Sequence, residues 1–301
     1  MPVAAVGEGG VAGKKRPNRA DAPRKDGQRI KEDTLYSVNY VRAKSLKHAA
    51  DVLAQHPDAK LLAGGMTLIP TLKQRLAQPS HLIDIAGLSV LKAIKRTKDK
   101  LSIGAAAKHQ EVATSSAVRE AIPALAYLAS QIGDPQVRNM GTIGGSLANN
   151  DPNADYPAAI LGLNATIVTN RRRIKAADYF QGLFSTALEE GEIITRIVFP
   201  IPKQAAYEKF SHPASGFAMT GAFVTVGSRG VRVAVTGAGQ GVFRWSKAER
   251  ALGKTLSPSA VENLSVDVES MNEDMHATRA YRANLVNVIT RRAVAKLGSA
   301  A

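Results

Sequence analysis

Three features of the sequence predict an α+β fold. Strand-like and helix-like runs alternate from Tyr36 to Phe199, and two glycine segments interrupt them. The third feature is Pro200-Ile201-Pro202, beyond which strands come first and helices follow. Strands grouped ahead of helices mark an α+β unit. The expected organisation is an extension at 1–34, a larger domain at 35–202 and a small α+β domain at 203–301.

The extension is rich in Gly, Ala, Pro and charge and almost without large apolar side chains. Such a segment cannot bury enough surface to offset its ordering entropy, so it is expected to be disordered and basic. From Tyr36 the texture changes. Ser45 can cap a helix in which Leu46, Ala49, Ala50, Leu53 and Ala54 recur at helical spacing, ending near His56-Pro57. A short strand at Ala59 to Leu62 enters Ala63-Gly64-Gly65-Met66-Thr67, and Leu68 to Leu76 reads as helix with Pro70 in its first turn. Strands at His81 to Ile85 and Lys100 to Ile103 follow, then a helix at Ile122 to Ile132 that gives way to Gly133-Asp134-Pro135. The second glycine segment is Gly141-Thr142-Ile143-Gly144-Gly145-Ser146. A helix at Tyr156 to Leu163 and strands at Thr166 to Thr169 and Ile193 to Phe199 complete the larger domain. Past the prolines, strands are expected at Ala205 to Phe210, Gly221 to Val226 and Val231 to Val235, and helices at Ser246 to Leu252 and Arg279 to Leu297.

Composition narrows the chemistry. The 301 residues include no cysteine, which excludes disulfides, thiolate catalysis and any cysteine-ligated iron-sulfur cluster on this chain. No run approaches the roughly 18 to 20 apolar residues of a membrane span, and the N-terminal residues lack the apolar core of a secretory signal, so a cytoplasmic location is expected. The net charge of +15 suits an acidic partner, whereas 5% aromatic content offers few stacking platforms for nucleic acid. There is no nucleophile elbow and no zinc-protease motif, and the six histidines never fall at ligand spacing. Each histidine reads as ordinary surface or capping structure. Gly237-Ala238-Gly239-Gln240-Gly241 imitates a dinucleotide fingerprint, but its third glycine comes one residue too early.

The other two glycine segments are the candidate site. Each would present consecutive backbone N–H groups able to wrap a pyrophosphate without a positive side chain, and the first also leads into a helix N-terminus. Either could equally be a tight turn. Taken together, Leu-Leu-Ala-Gly-Gly-Met-Thr-Leu-Ile-Pro-Thr-Leu-Lys at 61–73 and Gln-Val-Arg-Asn-Met-Gly-Thr-Ile-Gly-Gly-Ser-Leu-Ala-Asn-Asn-Asp-Pro-Asn-Ala-Asp-Tyr-Pro-Ala at 136–158 resemble the FAD-binding medium subunit of molybdenum hydroxylases, the family of carbon monoxide dehydrogenase and bacterial xanthine dehydrogenase. The resemblance runs from about Tyr36 to the C-terminus.

It implies an FAD domain of the vanillyl-alcohol-oxidase type with two lobes, about 35–93 and 94–202, followed by the small α+β domain. It implies that FAD is held non-covalently by Leu61, Leu62, Ala63, Gly64, Gly65, Met66, Thr67 and Leu68 of the first loop and Thr142, Ile143, Gly144, Gly145 and Ser146 of the second. Asp155 matches a position that bonds the nucleotide part, with a helix N-cap as its alternative. Ile132, Ile194 and Lys209 match positions near the flavin ring. Core packing is the alternative for the two isoleucines, and a surface strand lysine for Lys209. Met66 and Thr67 depart from the residues common in relatives, and the basic extension is not part of the family pattern. With no histidine at 66 and no cysteine, no side chain suggests itself for a covalent flavin link. The implied partners are a large subunit with the molybdenum cofactor and a small iron-sulfur subunit, in a dimer of heterotrimers that delivers electrons to NAD or another acceptor. A self-sufficient flavin oxidoreductase and a basic binding protein without enzymatic activity are the rivals.

Overall fold

The structure, a computed structural model, describes residues 36–299, with nothing of the side chains at 298 and 299. The extension expected to be disordered lies outside the described residues.

The first part of the fold is a three-stranded parallel sheet of β1 (Asn39–Arg42), β2 (Lys60–Leu62) and β3 (His81–Asp84), in the order β1-β3-β2. Parallel neighbours need crossovers, and helices α1 (Leu46–Gln55) and α2 (Leu68–Lys73) supply them. Ser45 starts α1 as expected, its Oγ accepting the His48 N–H at 3.1 Å. Ala49 of α1 joins Ile83, Ile85, Leu88 and Leu91 in a small core that also takes in Ala106 and Ile193.

The second part is a five-stranded antiparallel sheet. Its strands are β4 (Ile94–Arg96), β5 (Lys100–Gly104), β6 (Thr166–Thr169), β7 (Arg173–Lys175) and β10 (Ile194–Pro200), in the order β4-β5-β10-β6-β7. Between β5 and β6 run α3 (His109–Thr114), α4 (Ser116–Ala121), α5 (Pro123–Ser130), α6 (Pro135–Met140), α7 (Ile143–Asn149) and α8 (Tyr156–Gly162). After β7 come α9 (Ala176–Tyr179) and the hairpin of β8 (Phe180–Gly182) and β9 (Ser185–Thr186). The helix expected at 122–132 is shorter, because Pro123 occupies its first turn and the chain turns after Ser130. The second glycine segment is also not a loop. Thr142 is the N-cap of α7, and Gly144 and Gly145 lie inside that helix.

The last part is an antiparallel meander of β11 (Gln204–Ser211), β12 (Ala218–Gly227), β13 (Gly230–Thr236) and β14 (Phe243–Arg244), followed by α10 (Ser246–Lys254) and α11 (Arg279–Ser299). Period-2 alternation sends its two faces to different cores. Tyr207, Phe223 and Ala234 face the core built around α5 and α8, while Ala206, Val224, Val233 and Val235 face α10 and α11. Complete burial of a side chain such as Phe223 contributes about 1.5–3 kcal/mol. Among the described residues, no helix is long and apolar enough to cross a membrane.

Candidate cofactor site

The two glycine segments meet. A Cβ added at Gly64 would lie 2.2 Å from the Met140 carbonyl oxygen and 2.7 Å from the Gly141 Cα, so only glycine lets these backbones touch. The first loop therefore packs against the chain that leads into α7.

Their amides differ. From Ala63 to Leu68, six consecutive backbone N–H groups meet no acceptor among the described residues. Gly65 has φ +72°, the left-handed conformation that lets successive N–H groups turn toward one side. Thr67 precedes α2 without a side-chain capping bond, and Met66 and Thr67 are exposed at the tip. Leu61 and Leu62 are half-buried on β2 and anchor the loop from below. Six unengaged amides are the donor set that a diphosphate fits, since its oxygens only accept.

The second segment has its amides engaged. Ile143 N–H donates to the Ala107 carbonyl at 3.1 Å and Gly144 N–H to the Ala105 carbonyl at 2.8 Å. Gly145 N–H donates to Thr142 Oγ1 at 3.1 Å, and Ser146 N–H to the Thr142 carbonyl at 3.0 Å. Gly144 is required by packing, for a Cβ there would sit 2.6 Å from Ala105. Gly145 and the half-buried Ser146 form the exposed face of this helix start.

Asp155 and Lys209, expected to serve different parts of one ligand, bond to each other. Lys209 Nζ lies 2.9 Å from Asp155 Oδ1 and also donates to the carbonyls of Gln131 and Gly216, each at 2.8 Å. All three ammonium protons are thus used. Its side chain is 5% exposed, which removes the surface-lysine alternative. Tyr207 O–H donates to the same Asp155 oxygen at 2.6 Å. Burial pushes the Asp155 carboxyl above its ordinary range, against the opposing pull of Lys209 and Tyr207. Asp155 stands at the N-cap position of α8, as the alternative expected, but its side chain makes no capping bond there. Tyr207 went unremarked in the sequence, although it stands two residues before Lys209 on a predicted strand and so shares its face.

Ile194 is buried in the core of the second part, and Ile132 is half-buried against the same core. The turn that carries Ile132 is held by Arg138, whose Nη1 donates to the carbonyls of Ile132 at 3.0 Å and Gly133 at 2.9 Å. His109 corrects the expectation of ordinary surface histidines. It is 5% exposed, its backbone N–H donates to the Gly141 carbonyl, and Nε2 would lie 2.6 Å from a Cβ at Gly141. Desolvation, helped by the positive charge of Arg138, lowers its pKa to about 4. Its Nδ1 and the hydroxyl of neighbouring Tyr156, ring centroids 5.3 Å apart, have no partner among the described residues. The imitation fingerprint at 237–241 is a turn: Gly237 N–H donates to the Pro152 carbonyl, and its own carbonyl accepts from Arg282.

Comparison with known proteins places this geometry in a family. Residues 36–202 match the model described as FAD binding domain in molybdopterin dehydrogenase. The chain is 33% identical to the glyceraldehyde dehydrogenase medium chain of Sulfolobus acidocaldarius, over 85% of this chain and 96% of that one. It is 34% identical to the carbon monoxide dehydrogenase medium chain of Hydrogenophaga pseudoflava, over 85% and 95%. A chain in the structure of reconstituted CO dehydrogenase from Oligotropha carboxidovorans superposes with a TM-score of 0.82 at 31% identity, covering 89% of this chain and 100% of that one.

Proposed function

This chain belongs to the family of FAD-binding domains of molybdopterin dehydrogenases and is an oxidoreductase subunit, and we propose that it holds FAD non-covalently through the amides of Ala63 to Leu68. The observation that carries the reading is that run of six N–H groups without acceptors among the described residues, placed where the first loop meets the chain leading into α7.

In this reading the diphosphate lies on the first loop, and the exposed Gly145 and half-buried Ser146 at the start of α7 border it. The fold is the two-lobed vanillyl-alcohol-oxidase type, with lobes at 35–93 and 94–202 and the C-terminal domain at 203–301. Asp155 and Lys209 act as a unit: the ion pair ties α8 to β11 and, through Gln131, sets the turn that carries Ile132 beside the flavin ring. Because Asp155 neutralises Lys209, little net positive charge is left there to raise a flavin potential. Ile194 packs beneath the same region.

When bound, FAD accepts electrons singly or in pairs and so links one-electron clusters to a two-electron acceptor. This chain supplies no cysteine for a cluster, so the iron-sulfur relay belongs to a small partner subunit and the molybdenum cofactor to a large one. The relatives' designation as medium chains supports that division. We assign the complex to the cytoplasm as a dimer of heterotrimers that passes electrons to NAD or another acceptor.

The test is purification from the native host with the associated chains, followed by the visible spectrum and analysis of the released cofactor. FAD in the medium chain, and reduction by a carbon substrate only with the other subunits present, are expected. FMN alone, well-folded chain without flavin, or full turnover by the isolated chain would each refute the reading.

A further inference from the structure

We propose that Arg138 is a positioning residue for the flavin ring, acting through the turn 131–133; the inference rests on the FAD reading above. Three successive carbonyls of this turn are held by two cations from different elements. Lys209, on β11, takes the Gln131 carbonyl, and Arg138, on α6, takes those of Ile132 and Gly133.

The turn is also fixed at its exit. Gly133 has φ +50°, and a Cβ there would meet the Val137 side chain at 3.0 Å. The Asp134 carboxylate accepts the Val137 N–H at 2.8 Å and so starts α6. At its other end α6 delivers the Met140 carbonyl and Gly141 to Gly64, where the first loop presents its amides. With six residues, α6 spans about 9 Å at the usual helical rise. It is a strut whose near end sits at the pyrophosphate cradle and whose far end carries Ile132.

Arg138 closes this strut on itself by reaching back to the turn that precedes it. One guanidinium nitrogen serves both carbonyls, and the planar group is pre-organised for such a clasp in a way that a flexible ammonium is not. Without the clasp the Ile132 and Gly133 carbonyls lose their donor and the turn relaxes, while the amides of the first loop are untouched. Ring position and phosphate affinity should therefore separate.

The experiment compares the full-length protein with Arg138→Met and Arg138→Lys. It measures the FAD dissociation constant, the visible spectrum of the bound flavin, its reduction potential and the melting temperature. Arg138→Met is expected to keep FAD with less than about a tenfold change in affinity, since the phosphate donors remain. Its flavin band and potential should nevertheless shift. Arg138→Lys should shift both in the same direction by less, and it carries the measurement alone where the methionine variant does not fold. Spectra and potentials equal to wild type in both variants would overturn the proposal. So would an effect confined to Arg138→Met, which would mean charge rather than position, and so would loss of FAD at unchanged melting temperature, which would make Arg138 part of the anchor. A wild-type chain without flavin would instead refute the reading beneath it.

Discussion

The first glycine loop and the second glycine segment look alike in sequence and differ in what their amides do. At 63–68 the chain takes a conformation that leaves six amides without acceptors among the described residues. At 142–146 Gly144 lets a helix start press against Ala105, just past the end of β5, and every amide from Ile143 to Ser146 is spent inside the protein. Each double glycine thus contains a close approach, Gly64 against Met140 and Gly144 against Ala105, and only the first also leaves a run of amides unengaged among the described residues. Only the hydrogen-bond partners distinguish the two.

Substitutions in the two segments should diverge accordingly. The largest effect is expected from Gly144→Val, whose Cβ would collide with Ala105 at 2.6 Å. Overpacking of this kind, with no flexible side chain to yield, should cost about 3 kcal/mol of stability, read by denaturant unfolding of the FAD-free chain. A melting curve like wild type would show that α7 can move away from Ala105.

The histidine beneath this segment gives a pH test of similar size. Its folded-state pKa of about 4 lies below the ordinary 6.5, so the unfolded chain takes up the proton first. The stability contributed by neutral His109 is whole above about pH 6.5 and is lost as the pH falls toward 4, a loss on the order of 3 kcal/mol. Replacing His109 with Gln, which stays neutral, should flatten the stability profile across that window. An unchanged slope would place the acid sensitivity elsewhere.

Gly64→Ala tests the other loop. Its Cβ meets backbone, the Met140 carbonyl at 2.2 Å, so the two segments must part. The cost of about 1–3 kcal/mol should appear as a 10- to 100-fold weaker FAD affinity by titration. FAD affinity equal to wild type would show that the contact between the segments is not needed for the cradle. The smallest effect is expected for Thr142→Ala, which removes the side-chain acceptor for Gly145 N–H and should cost about 1 kcal/mol of stability. A much larger loss of FAD than of stability would mean that Thr142 itself touches the cofactor.

How far the sequence reveals this arrangement varies by element. Helix α1 is legible because Ser45 caps it and its apolar residues keep one period, and β12 and β13 are legible as β-branched runs between turns. The first loop is legible because strand, glycine pair and helix follow in order. Helix α7 is not, since Gly144 and Gly145 are poor helix formers and the Thr142 cap and the packing on Ala105 hold them helical. Asp155 and Lys209 are each recognisable through the family resemblance, but their ion pair spans 54 positions and is created by the docking of β11 against α8. His109 is missed for the same reason: its burial comes from Gly141 and Tyr156, which only the folded chain brings beside it. Local patterns fix elements, whereas close approaches between distant backbones decide which glycines and charges meet.

The central claim is that the first loop, through its backbone amides, holds the cofactor. Amide hydrogen exchange, followed on the chain with and without added FAD and resolved to short peptides, tests it directly. Exchange should be fast at 63–68 without FAD and strongly slowed with it, while 143–146, already bonded internally, should be slow in both states. Protection on FAD addition confined to 143–146, with 63–68 unchanged, would contradict the account.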